Sequence, residues 1–559
     1  MLTSALVEQL IDKLLQKGAL RESYAEELRL TSSLKEILES GAVEYRVFAE
    51  TVAEISGIPF LPNPVPRKIT RSIFDDDSET TLPLKIEEMF SLKAVPIEGG
   101  YGILYPLPQH EKLGEKLYVI SYDEFLKVVK SYAKRSPLEV EDYLSRDKIL
   151  EAVLLTLVQA AVENASDVHI LTPSNVIRFR IDGTVFTYCS LMGKGNEVAN
   201  AFFSLSGRTP KNPHAQPNSI RLSGDEILKD NHIKEVDAEV RELLPLLKQI
   251  DFRIEIVPHP PQALSTTARL LDRGKTFWKL DSLGLPSSTV DRLRRIVLRR
   301  GVLLVTGETG SGKTTTCYAL LTEIDAVRHT LITIEDPIEF RNRFWKQLEY
   351  KETGEIKLTF TRLLSSVLRQ DPDVIFVGET RDAETAKLLF QASNTGHSVI
   401  STLHTNSAYD TIMRLRDLLA SFSTEEEVKM KLVSFLKAIL SQRLLRRVCP
   451  YCSKEEEIPH EIYSELERRT NGLLSKMGVT THLVGKGCKE CRGTGYLGRV
   501  LVSEFVEITP EIAEKLLEGI SKNRFESLML EQGNDTILVN AVKKAAAFET
   551  NFFEIAEKL

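Results

Sequence analysis

The sequence predicts an α/β protein built round a phosphate-binding parallel sheet, on three observations. Gly307-Glu308-Thr309-Gly310-Ser311-Gly312-Lys313-Thr314 fits the pattern G-x-x-x-x-G-K-[ST], and it stands between a wholly apolar run at 302–305 and a helix-like stretch at 315–321. Three further β-rich runs follow: 330–334 before Glu335, 373–377 before Gly378-Glu379, and 398–402 between His397 and His404. Apolar runs of this length read as strands buried on both faces, and ligands of open α/β sheets sit beyond strand C-termini. The third observation is length: 559 residues exceed a single core and call for three or four domains.

The totals exclude several classes. With 42% hydrophobic and 27% charged residues the composition is that of an ordinary globular protein, and a net charge of −7 gives no basic footprint for nucleic acid. No uninterrupted apolar run approaches a membrane span, and the first residues lack the basic start and apolar core of a signal peptide. We therefore expect a cytoplasmic protein that meets membranes only through partners. Six cysteines include two close pairs, which in a reducing compartment point to metal ahead of disulfides.

Taken in order, residues 2–15 carry Leu2, Leu6, Leu10 and Leu14 with Val7 and Ile11 on one helical stripe. Leu14 to Leu20 is echoed by Ile37 to Val43, each with a glycine where a helix ends. We read a small helical unit whose stripe is core, with a partner-docking face as the lesser alternative. Pro62, Pro64 and Pro66 break the pattern, and Asp75-Asp76-Asp77 reads as a solvated loop. Residues 84–125 read as mixed α/β, and the charged stretch 131–147 with Pro137 as a linker. A helix is expected from Lys148 to Ala161, then a hairpin through Asp182-Gly183. Residues 206–235, with Pro210, Pro213 and Pro217, read as a loop or weakly ordered insertion. The alternating run 252–256 pairs with 265–271, which places Arg253 and Arg269 on strands. Ser287-Ser288 can cap a helix through Ile296.

The chemistry gathers on the phosphate loop. Its glycines let backbone N–H groups turn toward phosphate oxygens, Lys313 can reach the β/γ-phosphates, and the Thr314 hydroxyl can ligate Mg²⁺. Gly307, Glu308, Thr309, Gly310, Ser311, Gly312, Lys313, Thr314 and Thr315 are thus the candidate nucleotide-binding residues. ATP hydrolysis needs one acid for the metal shell and one to orient water, and Glu379 and Glu335 are the candidates. His397 and His404 flank the third strand as candidate γ-phosphate sensors. Cys449-Pro450-Tyr451-Cys452 and Cys488-Lys489-Glu490-Cys491 are two C-x-x-C knuckles, a set suited to tetrahedral, structural Zn²⁺. The gap between them exceeds a simple finger and predicts a helical insertion from Ile458 to Met477.

These motifs together resemble one family. Glu335-Asp336-Pro337-Ile338-Glu339 is similar to the aspartate box of the secretion ATPases of type II secretion and type IV pilus assembly. Arg369 to Asp382 resembles their atypical Walker B, with Gly378 before the acid, and Thr395 to Asn406 resembles their histidine box. The resemblance implies a RecA-like P-loop NTPase domain at 286–559 with a tetracysteine zinc subdomain at 446–500. Before it come a PAS-like α+β domain at 148–280 and an N-terminal partner-docking α/β domain with a helical start at 1–135. It implies a homo-hexamer in which ATP lies in a cleft roofed by the second of these domains, with Arg253 and Arg269 reaching the phosphates, and cytoplasmic parts of an inner-membrane platform as partners. Where the family carries Arg-Pro-Gln-Asp-Gly-Arg, this chain has Ala215-Gln216-Pro217-Asn218-Ser219-Ile220-Arg221, and the Arg-Leu-Gly start of members that bind cyclic di-GMP is missing.

The expected function is ATP hydrolysis powering that platform. Two alternatives are a nucleotide-gated scaffold with weak hydrolysis, which the intact Lys313, Glu335, Glu379 and His397 oppose, and a nucleic-acid translocase, which the acidic balance opposes.

Overall fold

The computed structural model describes residues 2–30, 33–40, 42–67, 86–134, 138–205, 218–229, 231–248, 250–259, 263–272, 279–350 and 360–559. Asp75-Asp76-Asp77 lies outside the described residues. The chain divides into two compact units, Met1–Thr276 with Glu339–Arg341, and Phe277–Ile338 with Asn342–Leu559.

The first unit opens with helices Leu2–Gln16, Glu22–Arg29, Leu34–Glu39 and Tyr45–Ser56. Val7, Leu10, Ile11 and Leu14 are buried, so the described part of the leucine stripe is core. The first helix stops at Gly18, whose φ of 64° only glycine adopts freely. A small sheet follows: β1 (Ala94–Ile97) pairs antiparallel with β2 (Gly100–Ile103), and β3 (Leu117–Val119) lies parallel to β2. The helix Tyr122–Ala133 starts in a Ser121/Glu124 capping box and buries Phe125, Val129 and Tyr132; the Tyr132 hydroxyl donates to Pro96 O at 2.7 Å. Much of the stretch read as a linker is packed: a short helix, Val140–Ser145, buries Val140, Tyr143 and Leu144.

The rest of this unit is α+β, as expected. Six antiparallel strands, β4 (Asp167–Leu171), β5 (Val176–Ile181), β6 (Thr184–Ser190), β7 (Asn218–Ser223), β8 (Ile250–His259) and β9 (Ala263–Asp272), take the order β6-β5-β4-β9-β8-β7. Asp182 and Gly183, with φ of 49° and 84°, make the expected tight turn between β5 and β6. The reading of 206–235 as a loop or weakly ordered insertion is corrected from 218 on by the edge strand β7; residues 206–217 lie outside the described residues. Ile220 and Leu222 are buried at alternate positions, which is a strand signature, but three prolines immediately upstream masked it.

The second unit holds the parallel sheet. Its strands are β10 (Gly301–Thr306), β11 (Leu331–Glu335), β12 (Lys346–Glu349), β13 (Val374–Val377), β14 (Ser398–Leu403) and β15 (Leu436–Val448). A hairpin, β16 (Ser453–Glu457) with β17 (Thr481–Gly485), leaves the sheet, and β18 (Tyr496–Glu507) returns to it. The order is β12-β11-β13-β14-β10-β15-β18, parallel except for the last pair. β10, β11, β13 and β14 are buried along their whole length, as their apolar runs required. This is the RecA-like α/β core, with the phosphate loop at the end of β10, an interior strand between β14 and β15. The predicted insertion between the knuckles is present as helices His460–Arg469 and Leu473–Met477, held between β16 and β17.

One buried acid in this unit has a measurable consequence. Glu504 on β18 accepts from Ala408 N at 2.7 Å and from Ile537 N at 3.4 Å, so it joins the N-termini of helices Ala408–Ala420 and Ile537–Ala546. Burial pushes its carboxyl up to about 7 against those two N–H bonds, with Glu526 adding to the rise and Lys522 opposing it. The folded carboxyl thus keeps its proton to higher pH than the unfolded one. Its contribution to stability is full below the unfolded value of 4.5 and is lost as pH rises through about 7. Glu504→Gln removes the titration, although its amide nitrogen cannot accept from a backbone N–H as the second carboxyl oxygen does; the stability of wild type relative to the variant is therefore expected to fall by roughly 3 kcal/mol from pH 4.5 to pH 8. Thermal melts at the two pH values check this.

Candidate nucleotide site and cysteine cluster

The loop after β10 takes its shape from its glycines. At Gly307, φ is 148° and a Cβ would stand 2.3 Å from Gln442 O and 2.5 Å from Ser311 Oγ, so no side chain fits. Gly312, left-handed at φ 85°, is the N-cap of helix Lys313–Thr322, whose first N–H groups point into the loop. The Lys313 ammonium is buried and donates to Gly307 O at 2.8 Å and Glu308 O at 2.9 Å. Burial pushes its pKa down and Glu379 opposes the shift. Thr314 and Thr315 are half-buried in the first turn of the helix. Ser311 Oγ is buried with no hydrogen-bond partner. A spare hydroxyl, turned-in amides and a buried cation make a donor set that fits phosphate.

Three strand ends converge here. Glu379 follows β13, His404 follows β14, and Glu335 ends β11; the Gly378 amide donates to Ile334 O at 2.9 Å and sets the two acids side by side. His404 Nε2 lies 3.3 Å from Glu379 Oε1, and Arg381 Nε donates to Glu379 Oε2 at 2.9 Å. Burial lowers the His404 pKa, Lys313 acts the same way, and Glu379 opposes both. Glu335 is buried: its Oε1 accepts from Thr333 at 2.5 Å and Gln347 at 3.4 Å, and its Oε2 accepts from the Tyr318 hydroxyl.

His397 is not brought to this site. β14 runs parallel to β10, so the residue before it stands at the edge of the sheet opposite the phosphate loop. There Gly301 N donates to His397 O at 3.2 Å, and His397 Nδ1 lies 2.9 Å from Ala392 O. The expectation that His397 senses phosphate beside His404 is corrected by this polarity. Arg253 and Arg269 belong to the first unit, where they face each other across β8 and β9. Arg269 Nε donates to Asp167 at 3.0 Å and Arg253 Nε to Glu255 at 3.4 Å. Arg221, from the stretch that departs from the family pattern, faces Arg253 from β7.

Sequence reasoning missed the wall that β15 provides. Gln442 Nε2 donates to Ser311 O at 2.7 Å, and Arg443 pairs with Glu308 at 3.1 Å beside an open depression lined by Glu308, Ser311, Arg443 and Lys558. Nothing near residue 307 in the chain signals residue 442; strand pairing alone brings them together.

The four cysteines do meet. Their sulfurs all lie within 4.8 Å of one another. The Cys449–Cys488 and Cys452–Cys491 sulfurs are 3.8 Å apart, and the Cys488–Cys491 sulfurs 3.7 Å. A tetrahedron with Zn–S bonds of about 2.3 Å has S···S edges of about 3.8 Å, so the set is compatible with Zn²⁺. Cys488 N at 3.1 Å and Gly495 N at 3.3 Å donate to the Cys491 sulfur, as suits a thiolate. Gly485 lets the knuckles close, since a Cβ there would stand 2.0 Å from Gly495 O.

Residues 219–557 match the family model described as Type II/IV secretion system protein. The putative type II secretion system protein E of Escherichia coli strain K12 is 31% identical over 456 residues, which span 80% of this chain and 84% of that one. The type IV pilus assembly ATPase PilB of Thermus thermophilus is 29% identical over 455 residues, 79% of this chain and 47% of that one. Among solved structures, the pilus retraction motor PilT with bound ADP is similar at 25% identity and a TM-score of 0.46, over 72% of this chain and 96% of that chain. With a matched domain covering more than half its length and a relative this similar across most of both sequences, this chain belongs to the type II/IV secretion system protein family.

Proposed function

We propose that the protein is a cytoplasmic ATPase that works as a homo-hexameric ring and drives an inner-membrane platform assembling pilin-like subunits, for type II secretion or for a type IV pilus. ATPase chemistry follows from the family; the residue roles and the partners are our reading. The observation that carries it is the convergence of Lys313, Glu379 and His404 at the C-terminal end of the sheet, with Glu335 on the next strand. No helix among the described residues is long and apolar enough to cross a membrane.

In this reading ATP lies on the Gly307–Thr315 loop. Its β/γ-phosphates replace the carbonyls of Gly307 and Glu308 as partners of Lys313. Thr314 and Glu379 would hold Mg²⁺, which when bound neutralises charge on the phosphate oxygens. Glu335 orients the attacking water and accepts its proton, and its hold by Thr333, Gln347 and Tyr318 keeps the carboxylate aimed. His404, held neutral by burial, would turn its Nε2–H from Glu379, 3.3 Å away, to the γ-phosphate. Arg253 and Arg269 serve as further cations for the charge that develops in the transition state. The four cysteines would hold a Zn²⁺ in a structural role, since four thiolates complete a tetrahedral set.

The test is Glu335→Gln, which keeps the size of the side chain and removes the base. In cells depending on this gene, the variant is expected to be made at normal level and to lose extracellular fibres or secreted protein. Which of the two is lost tells pilus from secretion; full activity of the variant would overturn the reading.

A further inference from the structure

A chain of buried hydroxyls runs beside the site and has no part in the roles above. Thr306, the last residue of β10 and the one before Gly307, has its Oγ1 2.8 Å from Ser441 Oγ on β15. Thr411, in the first turn of helix Ala408–Ala420, points its Oγ1 at Thr306 Oγ1, 3.3 Å away. Thr411 Oγ1 also lies 2.6 Å from Thr405 Oγ1, in the residue after His404, and 2.8 Å from Ser407 O. Thr306, Thr411 and Ser441 are fully buried. At the same place the Gly307 amide donates to Leu403 O at 3.3 Å.

A hydroxyl has one proton and two lone pairs. Thr411 has three oxygen neighbours, so it gives its proton to one and accepts from another, and each choice fixes the direction of the bonds on either side. The buried chain therefore ties three backbone segments through one side chain: the entry to the phosphate loop, the turn that carries His404, and the start of the helix behind it. Buried networks of this kind hold a geometry when complete and loosen it when one member is removed, because the remaining polar atoms are left unpaired. Helix Ala408–Ala420 is held in place independently by Glu504 at Ala408 N, so loss of the Thr411 hydroxyl affects the turn ahead of it and leaves the helix seated.

We propose that Thr411 is a positioning residue for ATP hydrolysis, which through Thr306 and Thr405 holds the His404 turn in register with the phosphate loop. It is fully buried, its oxygen neighbours are Thr306, Thr405 and Ser407, and it acts through His404. This rests on the reading of His404 given under the proposed function.

The experiment uses the full chain, with nucleotide affinity and turnover measured separately at saturating MgATP. Thr411→Val keeps the shape and removes the hydroxyl; Thr411→Ser keeps the hydroxyl. The Val variant is expected to lower kcat on the order of tenfold with KM little changed, and the Ser variant to restore it. In a His404→Ala background the Val substitution is expected to cost little more, since both changes remove one function. Wild-type kcat in Thr411→Val, equal losses in Val and Ser, or full additivity with His404→Ala overturns the proposal. Should Thr411→Val fail to fold, Thr405→Val, half-buried at the turn itself, is expected to show the same split between kcat and KM, and wild-type kcat there overturns it equally. If the wild type does not hydrolyse ATP at all, the proposed function has failed and the proposal falls with it; a hydrolysing wild type with an indifferent Thr411→Val removes Thr411 alone.

Discussion

Lys313→Ala is expected to reduce phosphate release to background while the protein stays folded. The ammonium is buried, and burial already disfavours its charge; its stabilising partners are two carbonyls of its own loop. A polyphosphate can offer it a far stronger partner, and that exchange makes the loop selective for anions. Alanine removes the cation, leaves Gly307 O and Glu308 O without their donor, and leaves the transferred charge uncompensated in a site of low dielectric. A loss of at least 10²- to 10³-fold in turnover is expected, by analogy with the removal of a single preorganised donor. The loop should keep its path, because Gly307 and Gly312 set it and Gln442 braces it from β15. A melting temperature near wild type, with phosphate release lost, is the expected pair of results; unchanged turnover contradicts the assignment.

Cys491→Ser is expected to abolish metal binding and to loosen the whole hairpin arm. Structural Zn²⁺ in zinc-finger peptides binds with about 10–16 kcal/mol at neutral pH, and that free energy is folding free energy. The arm depends on it. Its apolar residues Ile458, Leu466 and Leu474 belong to a core cluster with Val542, Phe552 and Ile555 from the C-terminal helices, so a metal held by the four cysteines would anchor one side of a shared core. The described cysteines are all free of disulfides, so no covalent bond holds the knuckles together when the metal goes. Elemental analysis should find about one zinc per wild-type chain and none in the variant. Limited proteolysis should cut the variant within 449–496 and spare the rest. Wild-type protein purified without zinc, yet protected over that stretch, contradicts the account.

Legibility in the sequence followed locality. The phosphate loop, its strand and its helix are contiguous, and so are the strands ending at Glu335 and Glu379; all were readable from apolar runs and their terminal residues. Two C-x-x-C pairs carried their meaning in spacing, although only folding shows four sulfurs at tetrahedral distances. His397 and His404 looked equivalent because they flank one run. Strand direction separates them, and direction comes from pairing with β10. Gln442, Arg443, Thr411 and Glu504 were invisible for the same reason: each acts on a segment far away in sequence. β7 was lost behind prolines that precede it, and the long antiparallel β15–β18 pair was not foreseen, since each strand is stabilised by a partner far along the chain.

The central claim is that ATP is cleaved on the Gly307–Thr315 loop with Glu335 as the base. The most direct measurement is steady-state phosphate release by the purified full chain and by Glu335→Gln, with bound nucleotide quantified in the same samples. The account predicts turnover by the wild type, a loss on the order of a hundredfold or more in the variant, and equal nucleotide occupancy in both. Equal turnover in the two proteins, or a variant that fails only because it no longer binds nucleotide, would contradict it.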